Sequence, residues 1–318
     1  MLKFKIGICS ALVALCLIAP VNAKINAKER AEKAMQGIAS KDENFTYNCQ
    51  GNDAKASCTA KELIIDSDIS LRNVKLDYVI DDKNFNSMID FDLYIKTDDI
   101  DAAASINSSW VEFFPKHVSC SSPSSLQGSL YRGQITCDVT SPSYTVQFKS
   151  AGSIESDRFA DKDMATIVVE LEEIFDNLDD AANMQKELQD YRIDPRELVI
   201  TIKGKQLGDK IFNIMKKGDP TYTREQYVAA VNMGVAMVPV GLANAKTSES
   251  TTEQVTKAAT ALGDIATSKK QQATISLKRK SAVMLDLADL PSFIQQIDAD
   301  PLVLLRYLDE YQISVVSR

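Results

Sequence analysis

The pattern of apolar and polar positions divides the chain into a strand-rich part and a later part with more helices. From about Phe45 to Phe148, apolar residues alternate with polar ones. A period of two is typical of antiparallel strands that bury one face and expose the other. The clearest alternating positions are Ile69 and Leu71, then Val74, Leu76, Tyr78 and Ile80, then Ile89, Phe91, Leu93 and Ile95. Further strands are predicted at 129–139 and 143–154.

After about residue 160, apolar residues recur at spacings of three and four, which predicts amphipathic helices. One long helix is predicted over 160–191, broken by Arg192-Ile193-Asp194-Pro195. Other helices are predicted at 24–40, 205–217 and 251–268. The capping box Thr223-x-x-Gln226 predicts the start of a further helix. Two short helices are predicted to begin at Pro291 and at Asp300-Pro301. Later strands are predicted at 198–202, 272–279, 282–287 and 313–316.

These elements predict an α+β fold in which helices cover a large, mostly antiparallel, curved sheet and the C-terminal half is more helical. The β-rich region spans 24–154, and an α+β helical region packed on it spans 155–318. No Gly/Ser/Pro-rich linker separates them, so one continuous domain remains an alternative.

Residues 1–23 have the layout of a cleavable secretory signal. Lys3 and Lys5 precede an apolar stretch of about 14 residues, which ends before the small-residue site Val21-Asn22-Ala23. That stretch is shorter than the roughly 20 residues of a membrane-spanning helix. Lipid attachment at Cys16 is disfavoured, because Leu15 is larger than the residue expected before such a cysteine. We therefore expect a periplasmic or secreted protein.

Charge narrows the range of partners. The formal net charge is −8, and cleavage after Ala23 would remove two lysines and no acidic residue. Nucleic acid is excluded as a partner on this ground, because binding to phosphates needs a basic surface.

Four cysteines remain after cleavage, and in an exported chain they predict two disulfides. Four cysteines allow three connectivities. The pairs Cys49–Cys58 and Cys120–Cys137 are favoured, because each encloses a short segment rich in turn residues, Gly51-Asn52-Asp53 and Ser121-Ser122-Pro123-Ser124-Ser125. Neither spacing fits a zinc or redox motif.

No motif for catalysis or for a cofactor is present, and we expect no cofactor and no metal. His117 is the only histidine, so a hydrolase would depend on it as the base. Acidic clusters such as Asp81-Asp82 do not follow the calcium-loop pattern and are interpreted as solvated turns and helix faces.

The segment from Tyr227 to Ala243 is apolar or small at every position except Asn232. A helix that is apolar on all sides must be buried in protein or in lipid. The segment is therefore interpreted as a helix packed on the sheet, with a ligand pocket or a membrane-inserting segment as alternatives. If it lines a pocket, the candidate residues are Val231, Val235, Met237 and Val238.

Three functions remain open. The first is a non-catalytic exported carrier that encloses a lipid or another apolar or amphipathic ligand between sheet and helices. The second is an envelope structural or assembly protein that acts through protein–protein contacts. The third is a hydrolase with His117 as base. No stable transmembrane anchor is predicted for the mature chain.

Overall fold

A computed structural model describes residues 26–38, 46–65, 69–95, 113–176 and 188–318. The predicted signal at 1–23, Cys16 and residues 177–187 of the predicted long helix lie outside these ranges. Strands and helices each make up about 40% of the structure. The described residues form one large antiparallel sheet and seven α-helices.

Eleven strands form the sheet, which is open and follows the chain order β1 to β9 and then β11, with β10 paired to β8. The strands are β1 Tyr47–Gly51, β2 Lys55–Ile64, β3 Ile69–Ile80, β4 Asn84–Ile95, β5 His117–Gln127, β6 Leu130–Thr140, β7 Thr145–Glu155, β8 Arg192–Lys203, β9 Gln272–Arg279, β10 Leu285–Asp286 and β11 Tyr311–Ser317. The predicted α+β fold with a large antiparallel sheet is confirmed.

Helices are more frequent toward the C-terminus, as predicted. They are α1 Ala27–Ile38, α2 Met164–Asp176, α3 Leu207–Gly218, α4 Arg224–Asn244, α5 Glu249–Ala266, α6 Leu290–Ala299 and α7 Leu302–Tyr307. The predicted capping box at the start of α4 is present, since the Thr223 side chain accepts from the Gln226 N–H and the Gln226 side chain accepts from the Thr223 N–H.

One row of directly paired residues crosses the sheet from edge to edge. In spatial order it contains Cys49, Cys58, Leu76, Ile89, Cys120, Cys137, Phe148, Ile200, Ile275 and Val315. Directly paired residues point to the same face of a sheet, so this row marks one apolar face. Both predicted disulfides are formed within it, each with Cα atoms 4.1 Å apart. Disulfides are compatible with an oxidising compartment.

A β-bulge keeps β3 on this face along its whole length. The alternation in the sequence changes phase between Leu71 and Val74, and the register with β4 shifts between Arg72 and Lys75. Asn73 adopts a positive φ of 52° there, a conformation that asparagine tolerates better than most residues. Both Leu71 and Val74 are buried as a result.

Two local predictions are wrong. The strand predicted at 198–202 begins six residues earlier, at Arg192, so Arg192-Ile193-Asp194-Pro195 is part of β8. Pro195 fits there because the β7–β8 register is interrupted beside it, and bulges tolerate proline. The segment from Ser121 to Ser125 is not a turn but the middle of β5, where Ser122 and Ser124 are buried among apolar neighbours. The β5–β6 turn lies instead at Gly128.

Three helices cover the apolar face at different places. Helix α1 packs against β1, β2 and β3, and α2 contacts β4. Helix α5 packs against β9 and β11, where Ala261 and Ile265 contact Ala273 and Val315. The strands after residue 155 extend the sheet formed by those before it, and the division into regions at 154 stays a prediction.

Helix α4 is not packed on the sheet, and the expectation that it is buried there is wrong. Only Tyr227 and Leu242 are buried along its 21 residues. It packs mainly against α5, and at its start the Tyr227 ring also contacts Phe212 of α3. Met233 is 67% exposed and Met237 is 59% exposed. By length and composition, α4 is the one described helix that could cross a membrane.

Candidate functional site

A cavity of about 260 Å³ lies between α2 and strands β4 to β8, and we call it the sheet–α2 cavity. Val168, Leu171 and Phe175 form its roof on α2, and the sheet forms its floor. Its apolar wall is completed by Phe85, Ile135, Ile154 and Ile193. The volume is just below the usual range for ligand pockets, roughly 300–1,000 Å³.

Two glycines leave room for this cavity. Gly133 of β6 and Gly152 of β7 are directly paired, and both line the cavity. A Cβ built on Gly133 would meet only the Tyr131 ring, at 3.4 Å. A Cβ on Gly152 would lie 2.9 Å from the Asp194 carbonyl oxygen, because the register shift between β7 and β8 brings that backbone close.

The acidic groups at the cavity are paired with arginines. Glu172 accepts from Arg30 of α1, and both side chains are buried. Asp194 accepts from Arg196 and from Arg279, whose Nη1 is 3.3 Å from Oδ1. Each of the two carboxylates therefore has at least one guanidinium partner, and neither is left buried without a counter-charge.

Tyr131 gives the cavity a polar but uncharged group. Burial raises the pKa of its hydroxyl above the usual value, although the hydrogen bond with Ser124 acts in the opposite direction. The hydroxyl therefore stays protonated at neutral pH. Such a group can orient a ligand without introducing a charge.

The four pocket residues predicted from the sequence lie elsewhere, on α4. Val231 and Val235 face α5, where their methyl groups lie 3.6 and 2.9 Å from a Cβ built on Gly263. Met237 is mostly exposed, and Val238 is half-buried. None of the four lines the sheet–α2 cavity, and a pocket beside α4 stays a prediction. The residues of the cavity gave no signal in the sequence beyond their alternation as strand positions.

His117 lies on the polar face of the sheet between two aspartates. Its Nδ1 is 3.0 Å from Asp92 Oδ1, and its Nε2 is 3.4 Å from Asp90 Oδ2. Among the described residues, no serine or threonine hydroxyl is hydrogen-bonded to the ring. A base needs a nucleophile within reach, so this geometry gives the hydrolase hypothesis no support.

The acidic cluster at Asp81 shapes a turn. Its Oδ1 accepts from the N–H groups of Lys83 and Asn84, both at 2.8 Å, in the β3–β4 turn. Within the described ranges, no three His, Cys, Asp or Glu side chains converge as metal ligands would. The other acidic clusters of the sequence lie outside these ranges wholly (Asp66 and Asp68; Asp98, Asp99 and Asp101) or partly (Asp176, Asp179 and Asp180).

Comparison with known proteins gives no family. No protein-family model matches the chain, and no curated protein matches its sequence.

Proposed function

We propose that this chain is a non-catalytic exported protein, periplasmic or secreted, that binds an apolar or amphipathic ligand in the sheet–α2 cavity. The observation that carries the proposal is the mainly apolar lining of this cavity, in which the carboxylates are paired with arginines and the Tyr131 hydroxyl stays neutral. The two disulfides are in keeping with an oxidising compartment.

The size of the cavity suits a small ligand. About 260 Å³ accommodates a small apolar molecule or one end of an acyl chain rather than a whole lipid. Gly133 and Gly152 are directly paired and have no side chains. A ligand in the cavity would therefore contact the backbone of the sheet at this point.

Native mass spectrometry of the protein purified from its own compartment, with an organic extract analysed beside it, tests this proposal. We expect additional mass that extracts as an apolar molecule. The variant Gly133→Leu adds a side chain at the cavity, where its Cβ would make an ordinary contact of 3.4 Å with the Tyr131 ring, and it should remove this mass. Gly37→Leu is the matched control, because it makes the same change on the exposed side of α1, with nothing within 4 Å of its Cβ.

Ser150→Leu, also at the cavity, replaces Gly133→Leu if the latter fails to fold. Bare wild-type protein, or the same extracted molecule in wild type and both cavity variants, would contradict the proposal.

A second candidate function is an envelope structural or assembly protein, and the exposure of α4 favours it. The outer face of α4, formed by Ala229, Met233, Met237 and Val240, is exposed and apolar. Exposed apolar surface of this kind marks interaction sites. Methionine-rich surfaces adapt to partners of differing shape.

Sedimentation of the envelope fraction tests this second function. We expect the wild type to associate with that fraction and the double variant Met233→Glu/Met237→Glu to be released. The control Val283→Glu/Leu304→Glu places the same charges at exposed apolar positions elsewhere and should remain associated. Equal release of both variants would remove the support for α4 as the contact.

A further inference from the structure

Five basic side chains meet in one open groove at the end of the sheet, although the whole chain is acidic. The groove has a volume of about 740 Å³, and five of the 14 residues that line it are Lys or Arg, whereas none is Asp or Glu. We call it the lysine groove. Its basic residues are Lys203, Lys205, Lys269, Lys270 and Arg318.

The register of four neighbouring strands places these residues together. Lys203 at the end of β8 is paired with Thr145 of β7 on one side and with Gln272 of β9 on the other. The Arg318 N–H donates to the Gln272 carbonyl oxygen. Because adjacent strands lie about 4.8 Å apart, Lys203 and Arg318 are roughly 10 Å from each other across β9.

Two tight turns add the remaining lysines. Lys205 follows Gly204 and precedes Gln206, which has a φ of 56°. Lys269 and Lys270 follow Ser268, which has a φ of 61°. The opposite wall is the β6–β7 turn, which Lys210 holds through bonds to the Pro142 carbonyl and the Ser143 hydroxyl.

Three of these five charges have no acidic partner among the residues that the structure describes. Lys269 lies 4.0 Å from Asp264, and Arg318 donates to the Gln272 side chain. Lys203, Lys205 and Lys270 form no ion pair with any described acidic residue. Like charges that are brought together repel one another, and a bound anion relieves this repulsion.

We propose that the lysine groove is a binding site for a phosphate-class anion, either a free phosphate or the phosphate of a lipid headgroup. A groove flanked by several ammonium groups and one guanidinium suits an oxyanion with several acceptor oxygens. The site is distinct from the sheet–α2 cavity, because Asp194 at the cavity and Lys203 at the groove are separated along β8 by about 30 Å, at roughly 3.4 Å per residue. It does not depend on the proposed function.

Two probes distinguish the two sources of phosphate. Inorganic phosphate is titrated into the mature protein by calorimetry at low ionic strength, and flotation is measured with phosphatidylglycerol vesicles and with phosphatidylcholine vesicles. Binding of inorganic phosphate indicates a free anion, whereas binding only to phosphatidylglycerol vesicles indicates a headgroup. Added salt should weaken either interaction.

Two double variants test whether the anion binds in the lysine groove. Lys203→Gln/Lys270→Gln should weaken it about tenfold, because two of the five charges are lost. Lys61→Gln/Lys278→Gln removes the same net charge at exposed positions on β2 and β9 outside the groove and should change it less than about twofold. The proposal is overturned if neither probe binds, or if both double variants weaken binding equally.

Discussion

At the scale of single residues, the paired glycines Gly133 and Gly152 differ in what surrounds them. The Cβ of an alanine at 133 would make an ordinary contact with a side chain, whereas at 152 it would press on the Asp194 backbone. A side chain can move aside, but a strand backbone held in a sheet cannot move without disturbing its pairing. Both glycines line the cavity, but we expect Gly133 to tolerate substitution better than Gly152.

Gly152→Ala should lower the free energy of unfolding by about 1–3 kcal/mol, the usual range for overpacking. Gly133→Ala should change it by less than about 0.5 kcal/mol. Urea denaturation of both variants measures the difference. Similar losses for the two would show that the close approach of β8 to Gly152 is not present in solution.

Asp309 makes a contact whose strength depends on pH. It accepts from the N–H of Ser248 at 3.1 Å and from its hydroxyl at 2.6 Å, just before α5. Burial tends to raise the pKa of this carboxyl, but the hydrogen bonds from Ser248 and Thr251 outweigh burial and lower it. A lowered pKa means that the folded state favours the ionised form.

The stabilisation from Asp309 should be present above the pKa of the unfolded state, about 3.9, and be lost as the pH falls through the lower folded pKa. Asp309→Asn should therefore be less stable than wild type at pH 7, by at most about 1 kcal/mol because solvent screens the group. The difference should shrink as the pH falls below the unfolded pKa and vanish below the folded pKa. Denaturation at a series of pH values tests this, and a constant difference would contradict it.

At the scale of elements, a buried ion pair joins two helices that are distant in sequence. Arg30 of α1 and Glu172 of α2 are 3% and 6% exposed. The Arg30 guanidinium also lies 5.5 Å from the centre of the Phe85 ring. The pair fixes the position of α2, the roof of the sheet–α2 cavity, relative to α1.

Arg30→Met should destabilise the fold by about 3–5 kcal/mol, because it leaves the Glu172 carboxylate buried without its cation. The double variant Arg30→Met/Glu172→Leu should recover most of that loss, because no buried charge remains. Chemical denaturation of the single and double variants measures the coupling. If the two losses simply add, the buried pair does not exist in solution.

The position of helix α4 in the fold could not be predicted from the sequence. Its apolar composition predicted a helix, and the capping box predicted where it begins. Composition alone could not show where the helix lies, because its burial depends on whether another helix occupies the position on the sheet. Helix α5 occupies that place through Ala261 and Ile265, which leaves the outer face of α4 uncovered by the described residues.

At the scale of the whole molecule, the two disulfides join neighbouring strands in the same row of the sheet. Each bridge links consecutive strands, β1 to β2 and β5 to β6. They reinforce local hairpins rather than holding distant parts of the sheet together. The continuity of the sheet therefore rests on backbone pairing and on the apolar face.

Replacing Cys120 and Cys137 with alanine should lower the free energy of unfolding by about 3 kcal/mol, as expected for a loop of this length. Replacing Cys49 and Cys58, which enclose a shorter segment, should cost somewhat less. Denaturation with and without a reductant measures both losses. If reductant has no effect on the wild type, the bridges are not formed.

The sequence by itself determined the class of fold, most helices, the pairing of the cysteines and most strands, with β5 and the start of β8 as the exceptions. These features follow from local periodicity, capping and short separations along the chain. The bulge at Asn73 was not predicted, although the alternation changes phase between Leu71 and Val74.

Only the tertiary structure decided where the candidate sites lie. The sheet–α2 cavity depends on two glycines that face each other across neighbouring strands, and the lysine groove joins residues more than 60 positions apart in the chain. Strand order and register bring such residues together, and neither is encoded in any one segment. The chemistry of each side chain was readable from the sequence, whereas its neighbours were not.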